Sequence, residues 1–257
     1  MPPIVIDPLY ASTTRVRGFR RNIETTSATA FAWAQDTRTY VVTNKHVILG
    51  RDFIGNPQPL TSIRLRCHNN ANFNANSDVN IDLFSSTMPV WLEHTNIQID
   101  VVLIPTSSTT FHGLSFPAFS SANFPPANLI IGPGEPLVVI GYPLDFYDQA
   151  NNLPIVRSAA LASAYPVPFM GLPMFITDAN LHEGTSGAPV LFIARGAYRT
   201  TDSLMTLGNL PPVLLGINSA TWPVQPQPLH LNATWLSSVI TEILSNPRTP
   251  TVAEPQP

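Results

Sequence analysis

The sequence predicts an all-β fold of two β-units followed by one C-terminal helix. Three observations carry that prediction: 27 prolines spread along 257 residues, about ten apolar runs of strand length separated by turn signals, and a late segment whose apolar residues step at helical spacing. Proline removes a backbone donor and breaks helix interiors, so this density suits short strands joined by turns and not a helical bundle. A chain of this length buries roughly three quarters of its unfolded surface, enough for a substantial core. Hydrophobic residues make up 44% and charged residues 11%, and 13 basic against 16 acidic side chains leave a net charge of −3. Disorder is excluded, because a disordered chain combines few apolar residues with a large net charge. The apolar runs fall far short of the ~20 residues that a membrane-spanning helix needs. A nucleic-acid binder would normally be basic, and this chain is mildly acidic.

Strands are expected, in order, at Ala28 to Trp33, Thr39 to Thr43, Thr61 to Cys67, Val79 to Phe84 and Ile99 to Ile104. A second set follows at Leu137 to Gly141, Ile155 to Ala162, Met174 to Ile176, Ala188 to Ile193 and Val213 to Ser219. The Asn-rich segment His68 to Asn80 reads as a loop between two paired strands, since asparagine favours turns and tolerates left-handed backbone. Residues 1–118 form the first unit, 119–136 a proline-containing linker and 137–228 the second unit. Leu231, Leu236, Val239, Ile240, Ile243 and Leu244 recur at three- and four-residue steps, predicting an amphipathic helix over 229–247 with Asn232 as its cap. The proline-rich tail 248–257 is expected to be disordered. Cys67 stands alone and cannot form an intramolecular disulfide, and Met1 to Tyr10 has no basic segment leading a hydrophobic one. A cytoplasmic location is the expectation.

Two β-units and a linker describe a double barrel, with chemistry expected in the cleft between them. The run Gly184-Thr185-Ser186-Gly187 can hold a serine hydroxyl exposed on a tight turn, while the N–H groups of Gly184 and Ser186 converge on a developing oxyanion. Taken alone, the same four residues also suit an ordinary turn. His46, in Thr43-Asn44-Lys45-His46-Val47, directly follows a strand and can project an imidazole into a cleft as general base, or sit partly buried against a backbone partner. Asp100 leads into the apolar run Val101 to Ile104. Buried there it needs a partner such as a histidine N–H; in a turn outside the sheet it does not.

Together these segments resemble the chymotrypsin-fold serine peptidases, and in particular the bacterial trypsin-like peptidases related to the HtrA/Deg proteases. The resemblance rests on five motifs in order across about residues 25 to 222. They are Thr43 to Val47, Asp100 to Ile104, Gly141-Tyr142-Pro143, Thr177 to Ala179, and Gly184 to Pro189. The runs Asn152 to Ser158 and Leu181 to Gly187 are more similar to a set of uncharacterised bacterial trypsin-like proteins than to any peptidase of known substrate. The resemblance implies two six-stranded antiparallel barrels and a serine endopeptidase in which Ser186 attacks, His46 carries the proton and Asp100 orients the imidazole. It further implies an oxyanion hole from Gly184 and Ser186, with Ser219 supporting Asp100 and no metal or cofactor.

The departures from the family pattern are informative. Thr185 stands where digestive relatives carry an aspartate that pairs with a new N-terminus, so zymogen activation of that kind is not expected. Asn180 stands where basic-specific relatives carry aspartate, and Thr221 replaces a pocket-opening glycine. With His182, Ser219 and Ala220 these residues form the expected substrate pocket, suited to a small or medium uncharged side chain. The chain leaves no room after its helix for a PDZ domain. Arg15, Arg17, Arg20 and Arg21 read as a solvated basic strand or arm, and Asn232-Ala233-Thr234 fits a glycosylation sequon. The expected partner is a peptide or protein substrate, with neither nucleic acid nor membrane. Two functions are open: an active endopeptidase, and a peptide-binding or regulatory protein whose oxyanion loop is inactive until a partner orders it.

Overall fold

The computed structural model describes residues 6–51, 56–69, 72–221 and 229–255. The first unit is built from β1 (Thr13–Arg20), β2 (Ile23–Gln35), β3 (Arg38–Thr43), β4 (Ser62–Asn69), β5 (Asn72–Asp82) and β6 (Val102–Thr106). The second is built from β7 (Pro136–Gly141), β8 (Ile155–Leu161), β9 (Met174–Asp178), β10 (Pro189–Phe192), β11 (Val213–Thr221) and β12 (Leu231–Leu236). A single-turn helix α1 (Lys45–Ile48) follows β3, and α2 (Ser238–Ser245) follows β12.

The second unit is a closed six-stranded barrel in the order β7-β8-β9-β12-β11-β10. The first is a nine-stranded sheet whose path runs from Leu92–Glu93 through β6, β3, β2, β1 and β4 to Leu114–Ser115, with β5 also on β4. Its ladder does not close among the described residues. Ala118–Phe119 adds a parallel pairing on β2, the one parallel ladder among these.

Strand alternation explains how so few charges suffice. Along β2, Ala28 and Ala30 point into the first unit's core with Val16, Ile63, Leu65 and Trp91. Phe31 and Trp33, one residue out of phase, point the other way into a core shared between the units. Successive strand side chains face opposite sides of a sheet, so a strand between two cores must be apolar on both. In the same way β6 sends Val102 and Ile104 inward and Leu103 outward, and β11 sends Val213 and Leu215 inward and Leu214 and Ile217 outward. The shared core also takes Val239, Ile240 and Ile243 of α2, which bind the C-terminal helix to both units.

Three expectations are corrected here. The two strands pair as expected, but His68 to Asn80 is not the loop between them: β4 and β5 continue the hairpin through it, registered from Ser62↔Asp82 to Asn69↔Asn72. Cross-strand bonds from Arg64 Nε to Asn80 Oδ1 (2.9 Å) and Ser77 Oγ to Asn69 Oδ1 (2.8 Å) give the asparagines partners that override their turn preference. The helix over 229–247 is half strand. Leu231–Leu236 pairs with β9 and β11 and closes the barrel, while Asn232 does not cap α2 and instead donates from Nδ2 to Ala179 O at 2.6 Å. Asn232 is 1% exposed, which removes its side chain from glycosylation in the folded protein. The tail is also structured over its described part. Arg248 exchanges both backbone hydrogen bonds with Glu93 (3.1 and 2.8 Å) and Val252 packs on the first core, because buried Glu93 needs the Arg248 guanidinium and Lys45 as counter-charges.

Three of the four arginines of the basic cluster, Arg15, Arg17 and Arg20, lie on β1, and Arg20 Nη2 donates to Gln58 O at 2.6 Å. Arg17 pairs with Glu24. Arg15 donates from Nη1 to both Asp145 oxygens (2.6 and 2.7 Å), joining the first unit to the turn after β7. Cys67 is buried in the first core, and burial pushes its thiol up to about 12. A raised pKa keeps the thiol neutral in the folded state while the unfolded chain would ionise at lower pH, so its contribution to stability is lost only as pH rises from about 9 toward 12. Native protein at pH 8 should therefore resist iodoacetamide, with Cys67 alkylated only after denaturant is added; rapid native labelling would contradict this.

Candidate active site

The site forms where α1, the segment before β6 and the turn before β10 meet. The strand β3 ends at Thr43, and the next residues turn into α1, so His46 sits in a helical turn one step beyond the expected strand end. Asp100 lies two residues before β6, after the turn at Asn96–Ile99, and its position is fixed through its own carbonyl. Asn44 Nδ2 donates to Asp100 O at 2.7 Å and Lys45 N at 3.3 Å. Its carboxylate faces His46: Oδ1 accepts the His46 backbone N–H at 2.8 Å and Oδ2 lies 2.6 Å from His46 Nδ1. Ser219 Oγ donates to the same Oδ2 at 2.7 Å. Across the imidazole, Nε2 lies 3.1 Å from Ser186 Oγ. The serine hydroxyl also reaches Ser219 O at 2.9 Å, so in the resting site its single proton has two acceptors.

The turn that carries Ser186 is held by two glycines. Gly184 has φ +91° and Gly187 φ +83°, in the left-handed region that favours glycine. A Cβ on Gly184 would lie 2.3 Å from Tyr142 O, and one on Gly187 would lie 2.2 Å from Thr29 O. The chain therefore passes against both units at distances that only glycine allows. Each carbonyl of the turn has a donor: Glu183 O accepts from Leu144 N (2.7 Å), Gly184 O from Thr29 Oγ1 (2.7 Å) and Thr185 O from Asn218 Nδ2 (3.0 Å). In a trans peptide the N–H points opposite to the C=O. The Gly184 and Ser186 N–H groups are thus turned away from these donors, and among the described residues neither has an acceptor within the protein.

Leu144 and Asp145, with φ +50° and +59°, brace this turn from the side. Asp145 is held by Arg15 and by Ser27 Oγ (3.0 Å). Beneath them Tyr142 is fully buried, and desolvation holds its phenol neutral well above the usual tyrosine range.

A cavity of about 280 Å³ opens beside Ser186. His46, Ser186, His182 and Ser219 line it, with Glu183, Thr185, Asn218 and Asn232, which the sequence reading did not assign to the pocket. Asn180, expected there, does not line it. That side chain is exposed, and its carbonyl is taken by Arg157 Nη2 at 2.7 Å, which turns this residue outward. The side chains of Ala220 and Thr221 lie outside the described residues. Among the described residues no cluster of three histidine, cysteine, aspartate or glutamate side chains could hold a metal ion.

Fold and family model together give the class: a serine endopeptidase of chymotrypsin-like fold. The chain belongs to the trypsin-like peptidase family, whose domain model matches residues 28–197. Among solved structures it is similar to the serine endoprotease of Yersinia pestis, at 14% identity and a TM-score of 0.51 over 95% of this chain and 67% of that one. It is also similar to the inactive form of the Rv3671c protease mutant of M. tuberculosis H37Rv, at 14% identity and a TM-score of 0.50 over 95% of both chains. The HtrA-type protease AlgW with tripeptide matches at 14% identity and a TM-score of 0.54, over 93% of this chain and 63% of that one. At these identities the likeness is one of fold. No curated protein matches the sequence.

Proposed function

We propose that this chain cleaves peptide bonds through a covalent acyl-enzyme formed on Ser186. The observation that carries the reading is the continuous relay Asp100 Oδ2, His46 Nδ1, His46 Nε2, Ser186 Oγ, at 2.6 and 3.1 Å. Ser186 Oγ attacks the substrate carbonyl carbon as its proton passes to His46 Nε2. The Gly184 and Ser186 N–H groups receive the developing oxyanion. His46 then gives its proton to the leaving amine as the C–N bond breaks, leaving an ester on Ser186. Water, losing a proton to His46, attacks that ester, and the acid product leaves as the proton returns to Ser186 Oγ. Throughout, Asp100 accepts from Nδ1, fixing the tautomer in which Nε2 is the base and stabilising the imidazolium.

The pinned carbonyls of residues 183–185 favour this reading over one in which a partner must order the loop, since each carbonyl already has its donor. A fluorophosphonate probe tests the reading: attack by Ser186 Oγ on phosphorus expels fluoride and leaves a stable adduct. Peptide mapping should find the adduct on Ser186, absent from Ser186→Ala and His46→Ala. A folded protein that takes up no probe would sink the proposal.

A further inference from the structure

We infer that Thr29 and Asn218 are positioning residues that hold the oxyanion loop from opposite sides, Thr29 from β2 of the first unit and Asn218 from β11 of the second. The inference rests on the serine-peptidase reading above. Three successive peptide planes surround the two oxyanion donors, and their orientation depends on what holds their carbonyls. The 183–184 plane is held by the backbone N–H of Leu144; in each of the next two a side chain is joined by one backbone bond, from Thr185 N to His182 O (3.2 Å) and from Ala188 N to Thr185 O (3.0 Å). Thr29 Oγ1 donates to Gly184 O at 2.7 Å and accepts from Tyr142 N at 3.2 Å, so its only proton is directed at Gly184. Asn218 Nδ2 donates to Thr185 O at 3.0 Å and approaches Thr185 Oγ1 at 3.3 Å, which turns the Ser186 N–H the other way.

Both residues are anchored well enough to serve. Thr29 is fully buried; its N–H donates to Ser186 O (2.9 Å) and its carbonyl accepts from Thr43 Oγ1 (2.9 Å). Asn218 is 2% exposed, its backbone exchanges bonds with Gly187 and Ala188, and its Oδ1 is left without a partner. That orphaned acceptor makes the orientation informative: the amide leaves a buried oxygen unsatisfied while its nitrogen serves Thr185. Gly184 joins the Leu144-held plane to the Thr29-held one, and its backbone is the most permissive in the turn, so without the Thr29 hydroxyl the 184–185 plane keeps only the 3.2 Å bond from Thr185 N to His182 O. Oxyanion stabilisation depends on donors fixed before the charge develops, which makes the clamp a determinant of turnover and not of substrate binding.

Thr29 gives the cleaner test, because Asn218 also lines the substrate cavity. Thr29→Val keeps shape and removes the hydroxyl; Thr29→Ser restores it. Turnover is measured per active site titrated with the fluorophosphonate, so a fraction of misfolded protein does not enter the rate. We expect Thr29→Val to lower kcat about 10- to 100-fold, short of the ~10²–10³-fold lost when an oxyanion donor itself is removed. KM should stay within about twofold, and affinity for a peptide aldehyde, which places an oxyanion in the hole, should fall in parallel with kcat. Thr29→Ser should recover most of the loss. If the wild type turns over and Thr29→Val matches it per active site, or serine fails to rescue, the clamp is overturned while the peptidase reading stands. A wild type that neither turns over nor takes the probe overturns both.

Discussion

Ser186→Ala should lower peptide-bond hydrolysis by ~10⁴-fold or more while leaving the protein folded and able to bind its substrate. The side chain is half-buried at the mouth of the cavity, and among the described residues its Oγ bonds only His46 Nε2 and Ser219 O, so its loss removes no structural support there. His46, which is exposed, can take water in its place. The loss should therefore appear in kcat and hardly at all in the melting temperature. Kinetic assay with a fluorogenic peptide, paired with thermal unfolding, checks both halves. An alanine variant that retains turnover within tenfold of wild type would remove Ser186 from the chemistry.

Asp100→Asn should cost about 10⁴-fold in kcat, and here the reason lies in which atoms the amide must occupy. The His46 backbone N–H can only donate, and it faces Oδ1 at 2.8 Å, so an asparagine must place its oxygen there. The amide nitrogen then falls where Oδ2 stood, 2.6 Å from His46 Nδ1 and 2.7 Å from Ser219 Oγ. A nitrogen at that place donates to Nδ1 and drives the imidazole proton to Nε2, where it faces Ser186 and cannot accept a proton. Geometry is kept and the base is lost. Titrating the variant by imidazole NMR should find the proton on Nε2. An unchanged tautomer with lowered turnover would reassign the effect to charge alone.

His46, Asp100 and Ser186 were legible in the sequence because the chemistry proposed for them demands particular residue types beside particular backbone features: a histidine after a strand, a carboxylate before an apolar run, a serine between glycines. Thr29 and Asn218 carry no such mark. A threonine in a strand reads as a strand former and an asparagine between isoleucine and serine reads as polar filler; only the placement of Gly184 O and Thr185 O gives them roles. The fold shows the same division. Alternation along β2, β3 and β6 was readable because each strand feeds two cores. The segment Leu231–Leu236 misled because a strand buried on both faces and the apolar stripe of a helix give similar spacings over six residues, and the tie lies in distant partners, β9 and β11. Asn72–Asp82 misled for a related reason, since the hairpin with β4 outweighs local turn preference.

The chain crosses between its two units twice, outward through residues 119–136 and back through α2 to the contact of Arg248 with Glu93. Arg15 adds a separate tether to Asp145. With the shared apolar core, these ties fix the width of the groove between the units, so His46 and Asp100 on one bank and Ser186 on the other do not depend on a closing motion to meet. If Ser186 acts as proposed, the conforming falls to the substrate, and segments of a folded protein able to extend locally should be cut in preference to those locked in helices or sheets, which mapping the cleavage sites in one folded protein substrate would check.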